Sequence, residues 1–144
     1  MPLLNSAEAL ATGFLLGEYE FRKYKHEPDK THESHLEEII LVLKNANEEV
    51  KAREEINRAE IYVQAVCLAR DLVNEPSSLT TPKYLADLAV KMAKTDGFSC
   101  KVYDEKEIEK MGMGCLLGVA KGSDEPARFI KLEYSLDSRL RGND

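Results

Sequence analysis

The amino-acid sequence predicts an α/β protein. Stretches whose apolar residues return at helical spacing alternate along the chain with short apolar or alternating runs that suit strands. Residues that stop one element and start the next fall at the joints, among them Pro76, Pro82 and Gly97, and no internal repeat is present.

Asn5 or Ser6 can cap a first helix. Ala7, Leu10, Ala11, Phe14 and Leu15, then Glu18 and Tyr19, follow at helical spacing and predict a helix over about 6–20. Arg22 to His35 is dense in charge, contains Pro28 and all three histidines, and is too polar to bury, so it reads as a surface loop. Leu36 to Leu43 (LEEIILVL) ends in an uninterrupted aliphatic run whose length and β-branching suit a buried strand, closed by Lys44, Asn45 and Asn47.

From Asn47 the pattern becomes that of a long helix. Asn47 is a candidate cap, and Glu48 and Glu49 sit at the positive end of the helix dipole. Its apolar face is expected to run through Ile56, Ala59, Val63, Val66, Ala69 (or Arg70) and Val73, and Pro76 ends it. Thr80 or Thr81 before Pro82 starts the next helix, because proline at the first helical position sacrifices no useful amide. Tyr84, Leu85, Leu88, Ala89, Met92 and Ala93 form its expected buried face, and Gly97 terminates it. Phe98 to Tyr103 alternates as a strand, Asp104 caps a short acidic helix to Met111, glycines punctuate 112–118, and Arg128 to Tyr134 (RFIKLEY) alternates again as a strand.

Composition narrows the function classes. The chain has 144 residues, 43% of them hydrophobic, enough for one domain with a core. Its formal net charge of -6 disfavours nucleic acid as a partner, since phosphate binding needs clustered lysine and arginine. Cys67, Cys100 and Cys115 are too widely spaced for a CxxC pair and lie in apolar stretches, which suggests reduced thiols in a cytoplasmic protein. The first residues, MPLLNSAEALATGFLLGEYEF, lack the basic start and long apolar run of a signal peptide. No segment approaches the ~20 apolar residues needed to cross a bilayer, so no membrane partner is expected.

The stretches LARDLVNEPSSLTTPKYLADLA at 68–89 and VYDEKEIEKMGMGCLLGVAKGSDEPARFIKLEY at 102–134, with ATGFLLGEYEFRKYK at 11–25 more faintly, carry a family resemblance. Together they resemble the leucyl aminopeptidase, or cytosol aminopeptidase, family of two-metal peptidases. The resemblance implies a fragment with a long linker helix and the first helices and strands of an α/β catalytic domain. Residues 1–46 would be the end of the amino-terminal domain, 47–75 the linker helix, 76–134 the incomplete start of the catalytic peptidase domain, and 135–144 an unrelated tail. That tail, SLDSRLRGND, departs from the family pattern. It reads either as read-through of a dispersed genomic repeat in an interrupted gene or as a cloning or frameshift tail.

In that family two divalent cations, zinc or manganese, bridge an attacking water and polarise the scissile carbonyl, held by carboxylates and a lysine. Those ligands lie beyond the position matching Tyr134, beginning in a glycine-lysine-glycine strand followed by aspartates, and that motif does not occur here. The chain is therefore expected to contain no catalytic, metal-binding or substrate-binding residue of its own and to hold no cofactor. Lys121-Gly122-Ser123-Asp124-Glu125 imitates the motif but occupies the position of the family's turn between two strands. Peptide substrates and hexamer formation are implied for the intact family.

Other constellations read as structure. His26, His32 and His35 with Glu27 and Glu33 look metal-like by composition, yet HESH is one residue short of the HExxH that puts two imidazoles on one helix face. Gly112, Gly114 and Gly118 follow a helix, whereas a dinucleotide fingerprint follows a strand. Asp104, Glu105, Glu107 and Glu109 read as a charged helix exterior, and Cys67 and Cys115 as buried structural thiols. Ser77 and Ser78 lack the GxSxG elbow of a nucleophilic serine. Asn74, Glu75 and Pro76 are the most family-like residues; after a helix, Asn and Glu are expected to satisfy its orphan carbonyls and the next loop's amides.

Two functions compete. One is descent from a metal-dependent aminopeptidase without activity in this chain alone. The other is an oligomerisation or binding module that joins an intact subunit or a separately encoded catalytic half. A parallel sheet would leave strands 98–103 and 128–134 without most of their neighbours, so helices are expected to form more reliably than a complete sheet.

Overall fold

The computed structural model describes residues 6–24 and 37–135. The chain divides into two compact units, Met1–Glu75 and Pro76–Asp144. Helices and strands mix as the sequence predicts, and the α/β class holds.

In the first unit, α1 (Ser6–Gly17) packs on α2 (Glu49–Asn74). The seam is built from small residues: Ala7 and Ala11 on α1 and Ala52, Ala59 and Val63 on α2 are buried, which lets the backbones approach closely. Arg58 Nε meets Glu8 Oε2 at 3.2 Å across it. Glu55 is also buried, with Lys51 Nζ 3.8 Å away one helical turn earlier. α1 is shorter than the predicted 6–20. The chain leaves the helix after Gly17, where the Glu18 amide still reaches the Phe14 carbonyl but the Tyr19 amide tightens onto Leu16.

Asn47 does not cap α2. A 3-10 turn, Ala46–Glu48, precedes the helix, Asn45 occupies the turn's own cap position, and the Asn45 amide side chain donates to Glu48 Oε1 at 2.9 Å. The buried face of α2 also departs from the expected one beyond Val63. Val66 and Val73 are exposed, and Ala69 and Arg70 with them, whereas Cys67, Leu68 and Leu72 are half-buried. α1 spans only ~18 Å against the ~39 Å of α2, and the carboxyl-terminal half of α2 is approached by the segment after α1 rather than by α1 itself.

The strand predicted over 36–43 does not form among its described residues, 37–43, which bond to no neighbouring strand. A ladder needs a partner, and none of the described residues supplies one.

The second unit begins its regular structure with α3 (Pro82–Asp96). Thr81 Oγ1 accepts from the Tyr84 amide at 3.2 Å, Pro82 takes the first turn, and Gly97 closes the helix with φ 76°. Ala86 and Ala93 are its buried residues, with Leu85, Leu88, Ala89 and Met92 half-buried; Tyr84, expected inside, is 46% exposed. α3 packs on β1 (Ser99–Tyr103) and β2 (Phe129–Glu133).

The parallel arrangement expected of these two strands does not hold. They pair with each other, antiparallel, with Cys100 opposite Leu132 and Val102 opposite Ile130. Between them lie α4 (Glu105–Lys110) and α5 (Gly114–Ala120). The sequence suggests α4 and reads α5 only as glycine punctuation. Asp104 and Glu107 form a reciprocal capping box at the start of α4, with bonds of 2.9 and 3.0 Å. Ile108 of α4 is fully buried.

Candidate functional site

Among the described residues a cluster of side-chain bonds lies at the end of α2, on Asn74 and Glu75. Glu75 is extended (φ -67°, ψ 145°), as the residue before a proline prefers to be. Its backbone amide returns to the Asp71 carbonyl at 3.0 Å, and its carboxylate projects toward the segment that follows α1. Lys23 Nζ donates to Glu75 Oε1, and the Tyr24 hydroxyl donates to Oε2. One turn earlier the Tyr19 hydroxyl donates to Asp71 Oδ1 at 2.8 Å and accepts from Asn74 Nδ2 at 3.1 Å. The Arg70 guanidinium lies 5.2 Å from the centroid of the Tyr19 ring, in cation–π range.

Electrostatics follow from these contacts. The hydrogen bond from Lys23, and then that from Tyr24, holds the Glu75 carboxyl below its usual range. The same bond to Glu75 raises Lys23 and, with help from partial burial, raises Tyr24. Tyr19 is raised chiefly by burial and then by its bond to Asp71. A carboxylate with both oxygens engaged, its side chain only 10% exposed, is a fastening rather than a base or a ligand awaiting a cation. The Glu75 backbone amide thus satisfies a helix carbonyl as expected, whereas the side chains of Asn74 and Glu75 bind side chains of the 19–24 segment. The sequence motif shows that these two residues matter but not what they hold.

The other candidates stay apart. Among the described residues no three His, Cys, Asp or Glu side chains are grouped to hold a metal ion. Asp104 and Glu107 are occupied in the capping box, and Glu105 Oε1 accepts from the Ala127 amide at 3.0 Å. Lys121 to Glu125 forms the turn between α5 and β2, not one between two strands, and Ser123 Oγ accepts the Glu125 amide at 3.1 Å. The described residues therefore do not fit a pair of divalent cations. His26, His32 and His35, with Glu27 and Glu33, lie outside the described residues.

Gly112 (φ 73°) follows α4, Gly114 opens α5 and Gly118 lies within it, which is no phosphate cradle. Ser77 and Ser78 are exposed in a turn after Pro76. Of the two cysteines expected inside, Cys67 is half-buried, and Cys115 is exposed on α5, a short helix that buries none of its residues.

Over residues 67–142 the chain matches the cytosol aminopeptidase family, catalytic domain, and it belongs to that family. It is 42% identical over 127 residues to a probable cytosol aminopeptidase of Sulfurihydrogenibium sp., covering 88% of this chain and 25% of that protein. To the corresponding protein of Aquifex aeolicus it is 44% identical over 127 residues, covering 88% and 24%. Among solved structures it is similar to a lysine-to-glutamate mutant of tomato leucine aminopeptidase, with a TM-score of 0.70, 30% identity, and coverage of 88% of this chain and 25% of that one. It is likewise similar to the bottromycin maturation enzyme BotP in complex with Mn, with a TM-score of 0.72, 32% identity, and coverage of 90% and 25%. The chain spans about a quarter of the length of these relatives. The family match reaches residue 142 and so runs into the stretch 135–144 that the sequence reads as unrelated. No helix of the described residues is long and apolar enough to cross a membrane.

Proposed function

We propose that this chain is the linker-helix and leading catalytic-domain stretch of a metal-dependent leucyl aminopeptidase acting on peptide amino termini in the cytoplasm, and that residues 1–144 alone do not hydrolyse peptides. The family match over 67–142, on a quarter of the relatives' length, carries this reading. The described carboxylates support the second half of it, because those at Glu75, Asp104, Glu105 and Glu107 are each taken by a lysine, a hydroxyl or an amide. Two divalent cations, zinc or manganese, would supply the Lewis acid in the whole enzyme. In this stretch the role left to Tyr19, Lys23, Tyr24, Asp71, Asn74 and Glu75 is to fix the end of α2, within the matched region. Hydrolysis of leucine p-nitroanilide by the purified chain, with manganese or zinc added, tests the claim. No metal-dependent turnover is expected, and turnover that chelator abolishes would refute it.

A second reading is favoured by the exposed apolar side chains of α2, where Ile61, Tyr62, Val66 and Val73 face solvent. They suit a helix that docks on other subunits, an intact one or a separately encoded catalytic half, in a hexamer or smaller assembly. Co-elution with a full-length relative on size exclusion would support it, and separate elution would sink it.

A further inference from the structure

The boundary between the two compact units falls between Glu75 and Pro76. Such boundaries ordinarily lie in exposed, weakly tied chain. Here the last residue of the first unit is held at two points, by its backbone amide on the Asp71 carbonyl and by its carboxylate, in a side chain 10% exposed, on Lys23 and Tyr24. The segment that supplies those donors follows α2 toward its end. Tyr19 engages Asp71 and Asn74, and Lys23 and Tyr24 engage Glu75. Little freedom separates this hold from the chain beyond it. The ring fixes the Pro76 φ, the proline confines the Glu75 ψ to extended values such as its 145°, and the peptide between them is planar. From the Glu75 α-carbon to the Pro76 carbonyl, only the Pro76 ψ turns freely. That carbonyl accepts the Leu79 and Thr80 amides at 2.9 and 3.1 Å and closes the turn that leads to the Thr81 cap of α3.

We propose that segment 19–24 is a strap that locks this junction, with the Glu75 carboxylate as its latch. Fastened, the strap holds the 76–80 turn closed; released, it lets the turn open while the helices on either side stay folded. The latch is strong for its size because a carboxylate with both oxygens engaged by a cation and a hydroxyl loses charge-assisted bonds when either donor leaves. Tyr24 is braced for its part by Phe21, whose ring centroid lies 5.9 Å from its own. The strap rests on the fastening at the end of α2 and not on peptide hydrolysis, so turnover and junction opening fail separately.

Residue-resolved amide hydrogen exchange of the chain, read by nuclear magnetic resonance, tests it. Turn amides exchange by local opening and not through global unfolding, so they report the latch itself. Glu75→Gln should speed exchange of the Leu79 and Thr80 amides about tenfold, while amides of α3 between Ala86 and Ala93 keep their wild-type rates. Tyr24→Phe, which removes one hydroxyl from an exposed side chain, should give a smaller rise. Lys23→Glu and Glu75→Lys should each release the turn, and the chain carrying both substitutions should regain slow exchange. Ala59→Leu weakens the first unit away from the latch and should leave the two turn amides as they are. Circular dichroism of each variant checks that its helices form. Leu79 and Thr80 exchanging at the wild-type rate in Glu75→Gln would overturn the strap. So would a double reversal as fast as its parents, or an Ala59→Leu chain whose turn opens as readily as that of Glu75→Gln.

Discussion

At Glu75 a single carboxylate joins parts of the chain 51 and 52 residues apart, through Tyr24 and Lys23. Linkage gives this contact a definite pH dependence. The folded state holds the Glu75 carboxyl below its unfolded value, so its contribution is present above the ordinary carboxylate range near ~4.3 and fades as pH falls through the depressed value. Lys23 and Tyr24 are raised in the folded state, so their contribution is whole below their unfolded values, near ~10, and is lost as pH rises through the raised ones. Glu75→Gln should lower the thermal midpoint by several degrees at neutral pH, and the gap from wild type should close on acidification. Parallel midpoint curves for the two proteins between neutral and acid pH would show that the clasp contributes nothing. The Asn-Glu-Pro motif marks Asn74 and Glu75 in the sequence. Tyr19, Lys23 and Tyr24 stay hidden there, because which helix end a polar segment meets is decided by how the chain turns after Gly17.

Among the elements, those with local signals are legible and those that depend on distant partners are not. Thr81 with Pro82, Gly97, and Asp104 with Glu107 each place an element boundary through bonds within a few residues, and each lies where the sequence puts it. The aliphatic run at 37–43 has strand composition, but a strand exists only with a partner, and the described residues provide none. α5 is missed because glycines at 114 and 118 lower helix propensity, yet the helix forms after the turn at Gly112 with none of its residues buried. The α1–α2 seam makes the packing claim testable. Ala59 is wholly buried against a seam lined by other alanines, so Ala59→Leu has nowhere to place its added methylenes and should cost about 2 kcal/mol by overpacking. Urea unfolding monitored by helical ellipticity would measure it. A variant as stable as the wild type would mean that the seam is looser than its burial suggests.

For the molecule as a whole, what is buried is small and what is large is exposed. Among the described residues the buried apolar set is Ala7, Ala11, Ala52, Ala59, Ala86, Ala93 and Ala127 with only Val63 and Ile108, and Ile108 is the one large side chain fully removed from water. Ile40, Val42, Ile61, Val73, Val119 and Tyr134 remain more than half exposed. Burying a large aliphatic side chain contributes ~1.5–3 kcal/mol and an alanine methyl well under half of that, while the conformational entropy of each ordered residue, ~1–2 kcal/mol for its backbone, opposes folding regardless of side-chain size. Helices survive this imbalance better than tertiary packing does, since their backbone bonds are local. The isolated chain should therefore melt over a broad range. Its calorimetric enthalpy should fall well short of the ~100 kcal/mol that ~0.7 kcal/mol per residue sets for 144 residues, with helical ellipticity outlasting the near-ultraviolet tyrosine signal. A sharp transition with the full enthalpy would show that the thin core is sufficient by itself.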